Sequence, residues 1–414
     1  MSKIDELIKK YCPDGVEYKT LGELGKFYGG LTGKSKDDFN DGNAIFITYK
    51  NVYSNPSLDL HPLEKVKIAP GEKQRTLEYG DIIFTGSSET PDECGFSSVV
   101  TEVPDEPLYL NSFCFIFRLN DVGFLNPDFS KHLFRSSDLR YQIGKTASGV
   151  TRYNVSKKLM EKVSIPVPPL EVQSEIVRVL DSFTLLTAEL TAELTAELTA
   201  RQKQYEYYRD ALLTFDDTVE MVTLQDICKK ICSGGTPKST NKGYYGGDIP
   251  WLRTQEVDWD DIYDTGVKIT QEGLDNSSAK WIPKDCLIIA MYGATAAKAA
   301  INRIPLTTNQ ACCNLEINSE VADLKYVFHW MSKEYINLKE MGQGSQSNIN
   351  AGIVRNYPIP LPSLAEQQRI ANILDKLYAL VKNMDSGIPA EIQARNSQYN
   401  YYRSKLLTFK KKIV

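Results

Sequence analysis

Two short stretches contain residue types that could bind phosphate or cleave a phosphodiester bond. "GGLTGKS" (29–35) resembles the phosphate-binding loop G-x-x-x-x-G-K-S, in which backbone amides and a lysine hold phosphate groups. Tyr28 stands where that loop requires its first glycine, and no clear apolar strand precedes it. "PDEC" (91–94) contains two carboxylates, but no E-x-K follows at short range to complete a nuclease site. We therefore predict neither activity for this chain.

A third stretch, "NPDF" (126–129), is close to the Asn-Pro-Pro-Tyr/Phe signature of amino-methyltransferases. It lacks the second proline, and no cofactor-binding glycine motif precedes it. Asparagine before proline is also a frequent helix start, because the amide caps the helix and proline fits its first turn. We expect Asn126 and Pro127 to begin a helix.

The histidines and cysteines show no arrangement typical of catalysis or metal binding. His61, His132 and His329 stand alone, so we expect each to be a surface or core residue. The eight cysteines lack metal-ligand spacing; Cys228 and Cys232, for example, are four positions apart with no histidine nearby. We expect reduced, mostly buried thiols, and the sequence predicts no catalytic residue and no metal site.

The composition is that of a globular protein with two or three domains. Of 414 residues, 42% are hydrophobic and 24% charged. The formal net charge of −5 argues against coating nucleic acid by bulk charge, although it is compatible with a local basic face. No run of 18 apolar residues exists, and "MSKIDELIKK" has the polar pattern of a helix rather than of a signal peptide. We expect a cytoplasmic protein with no membrane contact.

The elements that position the polar loops come from a duplication. "IPVPPLEVQSEIVRVLD" (165–181) is matched by "IPLPSLAEQQRIANILD" (359–375), and "RQKQYEYYRDALLTF" (201–215) by "RNSQYNYYRSKLLTF" (395–409). Both pairs are offset by 194 residues, although the segments between them differ in sequence. A shared length without shared sequence indicates that a distance is being maintained.

A fainter echo precedes each similar segment and predicts a second pair of related domains. "VEYKTLGELGK" (16–26) is matched by "VEMVTLQDICK" (219–229), with an offset that drifts to 194 along the chain. Apolar runs bounded by Gly, Asn and Ser indicate strands, and two amphipathic runs indicate helices. The strand-like runs are 44–49, 81–86, 114–119, 287–293 and 312–317, and the helical runs are 126–137 and 323–334. The fold class is therefore α/β.

The similar segments are predicted to be long helices. Apolar residues recur every three or four positions, without Gly or Pro, from 170 to 213, and 365–407 repeats the pattern. Such a helix is about 65 Å long and needs a partner along its stripe; connectivity makes the other copy an antiparallel partner. Ser363 and Glu366 form a capping-box pattern. Gly387 and Pro389 lead us to expect a kink or break in the second helix.

These observations divide the chain into five parts. We expect the N-terminal helix to pack near the C-terminus and two helical spacers to follow two variable domains, with pseudo-twofold symmetry. The boundaries are 1–15 for the N-terminal helix, 16–155 and 216–350 for the domains, 156–215 for the central spacer and 351–414 for the distal spacer.

The whole chain resembles the specificity subunit of type I restriction-modification enzymes. The resemblance rests on "CPDGVEYKTLGEL" (12–24), on the two Pro-rich segments at 165–181 and 359–375, and on the "YYR…LLTF" helix ends. It is strongest to the branch with TAEL repeats in the central helix. It implies two target-recognition domains joined by two long helices packed as an antiparallel coiled coil, each domain reading one half of a split, asymmetric DNA site.

The resemblance also implies that this chain has no cofactor and no catalytic residue. Two methyltransferase subunits would dock on it and use S-adenosylmethionine, and motor-nuclease subunits that use ATP and Mg²⁺ would join them on double-stranded DNA. Two alternatives remain open on the residues alone. One is a coiled-coil scaffold that joins protein clients without touching DNA, and the other is a self-contained DNA methyltransferase.

The TAEL repeat at 187–198 has a physical interpretation in this setting. Four helical residues add about 6 Å and a net rotation of about 40°, and one base pair adds about 35°. We expect the repeat number to set the gap between half-sites. Leucines are expected to form the apolar stripe of this spacer: Leu186, Leu190, Leu194 and Leu198.

Loops that carry Arg, Lys, amides and hydroxyls are the candidates for reading DNA, because these groups bind phosphates and base edges. The candidate contacts are Lys34, Ser35, Lys36, Tyr49, Lys50, Asn51, Ser87, Ser88, Thr151, Arg152, Tyr153 and Asn154 in the first domain, and Thr236, Lys238, Ser239, Arg253, Thr254, Gln255, Tyr292, Thr295, Lys298, Gln346, Ser347 and Asn348 in the second.

Overall fold

The computed structural model describes residues 3–342 and 348–412. The chain divides into two units, one made of Met1–Ala192 and Ala390–Val414 and the other of Glu193–Pro389. Each unit contains one mixed α/β domain, the beginning of one long helix and the end of the other.

The first domain is built on a four-stranded antiparallel sheet. Its strands, in spatial order, are Gly25–Gly29, Cys114–Leu119, Ile82–Thr85 and Ser97–Val99. Smaller sheets are Lys65–Val66 with Ala44–Ile47 and Leu108–Leu110, Ala147–Ser148 with Tyr153–Val155 and Ser87–Ser88, and Glu17–Thr20 with Ser164–Val167. The helices are Lys3–Tyr11, Leu21–Leu24, Tyr49–Ser54, Pro127–Leu133, Ser137–Gly144 and Lys157–Met160, with 3₁₀ turns at Lys36–Phe39, Pro91–Glu93 and Val122–Phe124.

The second domain repeats the main sheet of the first and adds an edge strand to it. The main sheet runs Cys228–Ser233, Cys312–Ile317, Leu287–Ala290, Ala299–Asn302 and the additional Asp261–Ile262. The smaller sheets are Lys268–Ile269 with Tyr245–Leu252 and Thr307–Thr308, and Met221–Thr223 with Pro358–Pro360. The helices are Gln271–Asp275, Leu324–Lys333, Tyr335–Glu340 and Ala351–Arg355, with 3₁₀ turns at Lys242–Tyr244 and Thr254–Glu256. Each strand-like or helical run that the sequence predicts contains an element of the predicted type.

Both faces of the main sheet in the first domain are buried, which explains the continuous apolar runs in its strands. Ile82, Phe84 and Phe117 belong to one core, and Ile83 and Ile116 belong to another on the opposite face. Side chains alternate between faces along a strand, so a strand covered on both sides is apolar throughout. Each buried Ile or Phe contributes about 1.5–3 kcal/mol to folding.

The two long helices are Leu170–Leu212 and Leu364–Leu406, each of 43 residues and offset by the same 194 positions as the duplicated segments. The predicted break in the second helix is wrong, because the helix continues through Pro389. Proline removes one hydrogen bond, to the carbonyl of Asp385, but both residues are exposed and water can satisfy that carbonyl. Ser363 caps the helix with its hydroxyl 3.4 Å from the amide of Glu366, whose carboxylate instead binds Arg369.

The leucines of the predicted stripe differ in exposure. Leu190, Leu194 and Leu198 are half-buried, whereas Leu186 is 62% exposed. A step of four residues advances about 40° beyond a full turn, so a leucine every four residues drifts off a fixed face. Phe183 takes the inward position instead and stacks on Tyr402, with ring centroids 5.2 Å apart.

The beginning of each long helix is fastened to its domain by a fully buried glutamine. The side-chain oxygen of Gln173 accepts from the amide of Asn126 at 2.8 Å, and its nitrogen donates to the carbonyls of Phe124 and Pro168 at 3.0 and 2.7 Å. Gln367, 194 positions later, makes the same three bonds, to Asp323, Val321 and Pro362.

A buried histidine adds a second fastening in each unit. In the first unit, His132 Nε2 lies 2.7 Å from Asp181 Oδ1 and its Nδ1 lies 2.9 Å from the hydroxyl of Tyr399. A carboxylate only accepts, so Nε2 donates to aspartate and, in the neutral ring, Nδ1 accepts from tyrosine. The histidine therefore connects a domain helix to the start of one long helix and the end of the other.

The second unit contains the same chain of groups. His329 Nε2 lies 2.9 Å from Asp375 Oδ1, and its Nδ1 lies 3.0 Å from the hydroxyl of Tyr205. Burial lowers the pKa of His329, outweighing the hydrogen bond to Asp375 that raises it. Burial also raises the pKa of Tyr205 to about 12, which keeps its hydroxyl protonated as a donor.

The end of the first unit's chain returns to its beginning. The amide of Val16 donates to the carbonyl of Lys410 at 2.8 Å, and the amide of Lys412 donates to Val16 at 2.9 Å. The hydroxyl of Tyr18 donates to the carbonyl of Phe409 at 3.2 Å. These bonds join the segment after the N-terminal helix to residues 409–412.

Replacing Gln173 by alanine is expected to lower the free energy of unfolding by roughly 2–4 kcal/mol, because one amide and two carbonyls lose their partner inside the protein. Urea unfolding of the purified chain measures it. Gln202→Ala is the matched control: Gln202 is exposed on the same helix and its loss should cost less than about 0.5 kcal/mol. Equal effects of the two substitutions would contradict the assignment.

We expect the buried His329 of the second unit to make the chain less stable in mild acid. Because the pKa of His329 lies below its ordinary 6.5 in the folded chain, the unfolded chain takes up the proton first as the pH falls. The melting temperature should therefore drop between about pH 7 and about pH 5.5, and His329→Gln should reduce that drop. His61→Gln, an exposed histidine in the first domain, should leave the drop unchanged. A drop of the same size in the His329 variant would refute the mechanism.

Candidate nucleic-acid interface

The first polar loop of the first domain follows the edge strand Gly25–Gly29. Lys34 is only 8% exposed, and its ammonium donates to the carbonyl of Lys67 and to Glu72. Hydrogen bonds from Lys34, the Ala69 amide and Gln74 together lower the pKa of Glu72 to about 2. Ser35 caps the 3₁₀ turn through Asp38, whereas Lys36 is exposed. The charge of Lys34 is thus used inside the domain, and Lys36 presents its charge to solvent.

The second polar loop starts the helix Tyr49–Ser54. Tyr49 donates its hydroxyl to the carbonyl of Ser87 at 2.9 Å, which ties this loop to the third one. Asn51 exchanges hydrogen bonds with the backbone of Asp59, so its amide has a structural role. Lys50 is exposed.

The third and fourth loops form one small sheet. Ser87 and Ser88 pair with Asn154 and Tyr153, the returning strand of a hairpin. The hairpin tip, 149–152, contains Gly149 at φ +155°, where a Cβ would lie 2.0 Å from the carbonyl oxygen of Arg152, so only glycine fits. The tip presents Val150, 89% exposed, to solvent.

Arg152 is held at the base of this hairpin tip. Its Nε and Nη2 donate to the hydroxyl of Ser87 at 3.1 and 3.0 Å, and its guanidinium lies 5.8 Å from the centroid of the Phe113 ring. Nη1 has no partner among the residues that the structure describes. The guanidinium is thus oriented by the fold and keeps hydrogen-bonding capacity for a ligand.

Two adjoining cavities bring the four loops together. They have volumes of about 790 Å³ and about 570 Å³, and Tyr49 and Phe113 line both, so we treat them as one groove. Its predicted residues are Lys34, Ser35, Lys36, Tyr49, Ser87, Ser88, Thr151 and Arg152. Four other candidates, Lys50, Asn51, Tyr153 and Asn154, do not line it.

The groove also contains residues that sequence reasoning missed. Phe113 is 58% exposed between the two cavities, presented by a turn in which Asn111 accepts a hydrogen bond from the Phe113 amide at 2.9 Å. The available signal was an Asn-x-Phe turn at the start of a strand. Glu93 accepts hydroxyl hydrogen bonds from Tyr53, Ser88 and Thr90, which lower its pKa. Its carboxylate gives the groove an acceptor as well as donors.

In the second domain, the structure joins the predicted loops in pairs. The hydroxyl of Thr295 donates to the carbonyl of Thr254 at 2.7 Å, and the Asn348 amide accepts from Gly293, next to Tyr292, at 3.3 Å. Lys298 forms an ion pair with Asp258. The guanidinium of Arg253 lies 3.7 Å from the carboxylate of Glu256, and Thr236 forms a hydrogen bond with Gln310. Lys238, Ser239, Gln255 and Tyr292 are exposed, and Gln346 and Ser347 lie outside the described residues.

The two domains share one backbone turn but present different side chains from it. Asn309 occupies the place of Asn111: each donates its amide to the preceding parallel strand and accepts from the residue two positions later. That later residue is the exposed Phe113 in one domain and the buried Ala311 in the other. The same turn therefore presents an aromatic ring in one domain and a methyl group in the other.

The residues singled out for chemistry have structural roles. Asn126 accepts a hydrogen bond from the Asp128 amide and begins a helix with Pro127 in its first turn, as expected. His132 and His329 are core residues. Over residues 3–342 and 348–412 there is no cluster of His, Cys, Asp and Glu able to hold a metal ion, and no helix there is long and apolar enough to cross a membrane.

Comparisons with known proteins identify this architecture. The family model described as "Type I restriction modification DNA specificity domain" matches residues 13–200 and 216–394. The chain is 37% identical over 270 residues to the specificity subunit of the Escherichia coli type I restriction enzyme EcoR124I/EcoR124II, an alignment that covers 62% of this chain and 65% of that subunit, or less than two thirds of the relative's length.

Two solved structures share the fold across nearly the whole chain. The HsdS subunit from Thermoanaerobacter tengcongensis superposes with a TM-score of 0.60 at 17% identity, over 95% of this chain and 96% of that one. A chain from a structure on complex assembly and conformational transition of the type I R-M system gives 0.68 at 19% identity, over 95% and 97%. The chain belongs to the family of type I restriction-modification DNA specificity proteins.

Proposed function

We propose that this chain is the non-catalytic DNA-recognition subunit of a type I restriction-modification enzyme, in which each domain reads one half of a split, asymmetric site. The observation that carries the proposal is the convergence of four polar loops on one groove in the first domain. The family membership and the repetition of the main sheet in the second domain support two readers of the same kind.

The groove offers the chemistry that base recognition needs. Arg152 keeps donors for a guanine edge or a phosphate, Glu93 can accept from a cytosine amino group, and Phe113 can contact a thymine methyl. Lys36 supplies a charge for the phosphate backbone. The fixed hydrogen bonds of Arg152 to Ser87 lower the entropy that its side chain loses on binding.

Catalysis and most of the affinity belong to partner subunits in this proposal. The net charge of −5 gives weak electrostatic attraction to DNA. Two methyltransferase subunits, which would use S-adenosylmethionine, dock on the two long helices, one for each copy of the repeat. Motor-nuclease subunits would use ATP and Mg²⁺ for cleavage.

The TAEL segment acts as the spacer in this proposal. In the described part of the helix, the hydroxyls of Thr187, Thr191 and Thr199 each donate to the carbonyl four residues earlier, at 2.8 to 2.9 Å, and the glutamates are exposed. These hydroxyls therefore find acceptors within the helix itself. Two long helices packed as an antiparallel coiled coil would convert helix length into the gap between half-sites.

Arg152→Ala is expected to relax recognition at one half-site only. Losing one good base contact costs about 1–3 kcal/mol, or roughly 5- to 150-fold in discrimination at that position. Sequencing of methylated adenines in cells that express the full complex identifies which base positions become degenerate. Lys162→Ala, which removes one exposed positive charge of the same unit outside the groove, is the control and should leave the site unchanged. Methylation of DNA by this chain alone would favour a self-contained methyltransferase. A complex that does not bind DNA would favour a scaffold for protein clients.

Deleting one TAEL unit, 191–194, is expected to shorten the preferred gap by one base pair and leave both half-sites unchanged, because about 40° of rotation is removed. The same methylation mapping reads the new gap directly. A deletion of 191–192 alone rotates the following residues by about 200° and should abolish methylation. New half-site sequences in the four-residue deletion would rule out the spacer mechanism.

A further inference from the structure

Each histidine connection uses the same residue types in both units. Asp181 and Asp375 are offset by 194 positions, and so are Tyr205 and Tyr399. Other polar residues of the long helices are also kept, such as Gln173 with Gln367, whereas Glu175 corresponds to Arg369. The partners of each domain histidine are therefore among the polar groups that both copies of the helix retain.

Each connection joins three separate elements through one ring. His329 lies on the domain helix Leu324–Lys333, Asp375 near the beginning of the second long helix, and Tyr205 near the end of the first. His132 does the same from the helix Pro127–Leu133. The imidazole ring makes one hydrogen bond from each of its two nitrogens, so it fixes the orientation of the domain helix relative to both long helices. Apolar contacts alone restrict that orientation less.

We propose that the two Tyr–His–Asp connections are positioning devices that fix the angle of each domain on the helix pair, and that Tyr205 and Tyr399 thereby determine how strictly the gap between half-sites is selected. The inference rests on the proposed DNA-recognition function. A domain that rocks on its helices would meet its half-site across a range of gaps, whereas a clamped domain meets it at one.

The test replaces both tyrosines by phenylalanine in the full complex with its partner subunits. This substitution removes two hydroxyls and keeps the rings, including the ring of Tyr205 packed 5.3 Å from Tyr378. The substrates are duplexes with both half-sites intact and gaps one base pair shorter, equal or longer than the natural one. Initial methylation rates are measured on each.

We expect methylation at the wrong gaps, relative to the natural gap, to rise on the order of fivefold, as expected for one lost hydrogen bond in each unit. Half-site preference should not change. Tyr207→Phe with Tyr401→Phe is the matched control, because these tyrosines are exposed, lie on the same two helices and are also offset by 194 positions. The control complex should discriminate between gaps as the wild type does.

The outcomes separate this inference from the proposed function. A double variant with the gap profile of the control overturns the clamp while leaving the recognition function intact, even if its melting temperature falls. A wild-type complex that methylates all three gaps equally overturns the clamp and the spacer mechanism, and a wild-type complex that ignores the half-site sequences overturns the recognition function. His132→Gln with His329→Gln should widen the gap profile in the same direction, and a profile as narrow as the wild type's would also overturn the clamp.

Discussion

Every polar group that is buried where a long helix leaves its domain must find a partner inside the protein, because water does not reach it. Gln173 and Gln367 meet this requirement in the same way, with one accepted and two donated hydrogen bonds to backbone groups. His132 and His329 meet it with a carboxylate on one side and a hydroxyl on the other. The geometry of both joints follows from this one constraint.

The strands and long helices could be predicted from sequence because their signals are local. Periodicity and the absence of Gly and Pro give the helix Leu170–Leu212 to within one residue, and continuous apolar runs give the doubly buried strands. The break predicted at Pro389 is wrong because proline lacks only one backbone N–H donor. The free energy lost with that hydrogen bond depends on whether water reaches the carbonyl left without a donor, and the sequence does not show this.

The groove could be predicted only as a group of loops. The sequence predicts that Lys34 contacts DNA, but its ammonium forms an ion pair with Glu72, which is distant in the sequence. Phe113 was not expected at all, since an isolated aromatic residue is more often buried than exposed. In both cases the deciding contact is long-range, so spacing and residue type do not contain it. The backbone turn at Asn111 and Asn309 shows the general pattern: a common framework fixes where a side chain stands, and the side chain itself differs between the two domains.

The threonine hydroxyls of the TAEL segment have one more consequence. The hydroxyls of Thr187 and Thr191 each donate to a carbonyl of the same helix one turn back, so an added unit finds an equivalent acceptor for its own threonine. Repeated coding sequence gains and loses copies by slippage during replication. A change in copy number leaves the exposed glutamates of the segment in water and gives each added threonine a carbonyl one turn back, so the repeat number can change in a single genetic step without leaving these groups unpartnered.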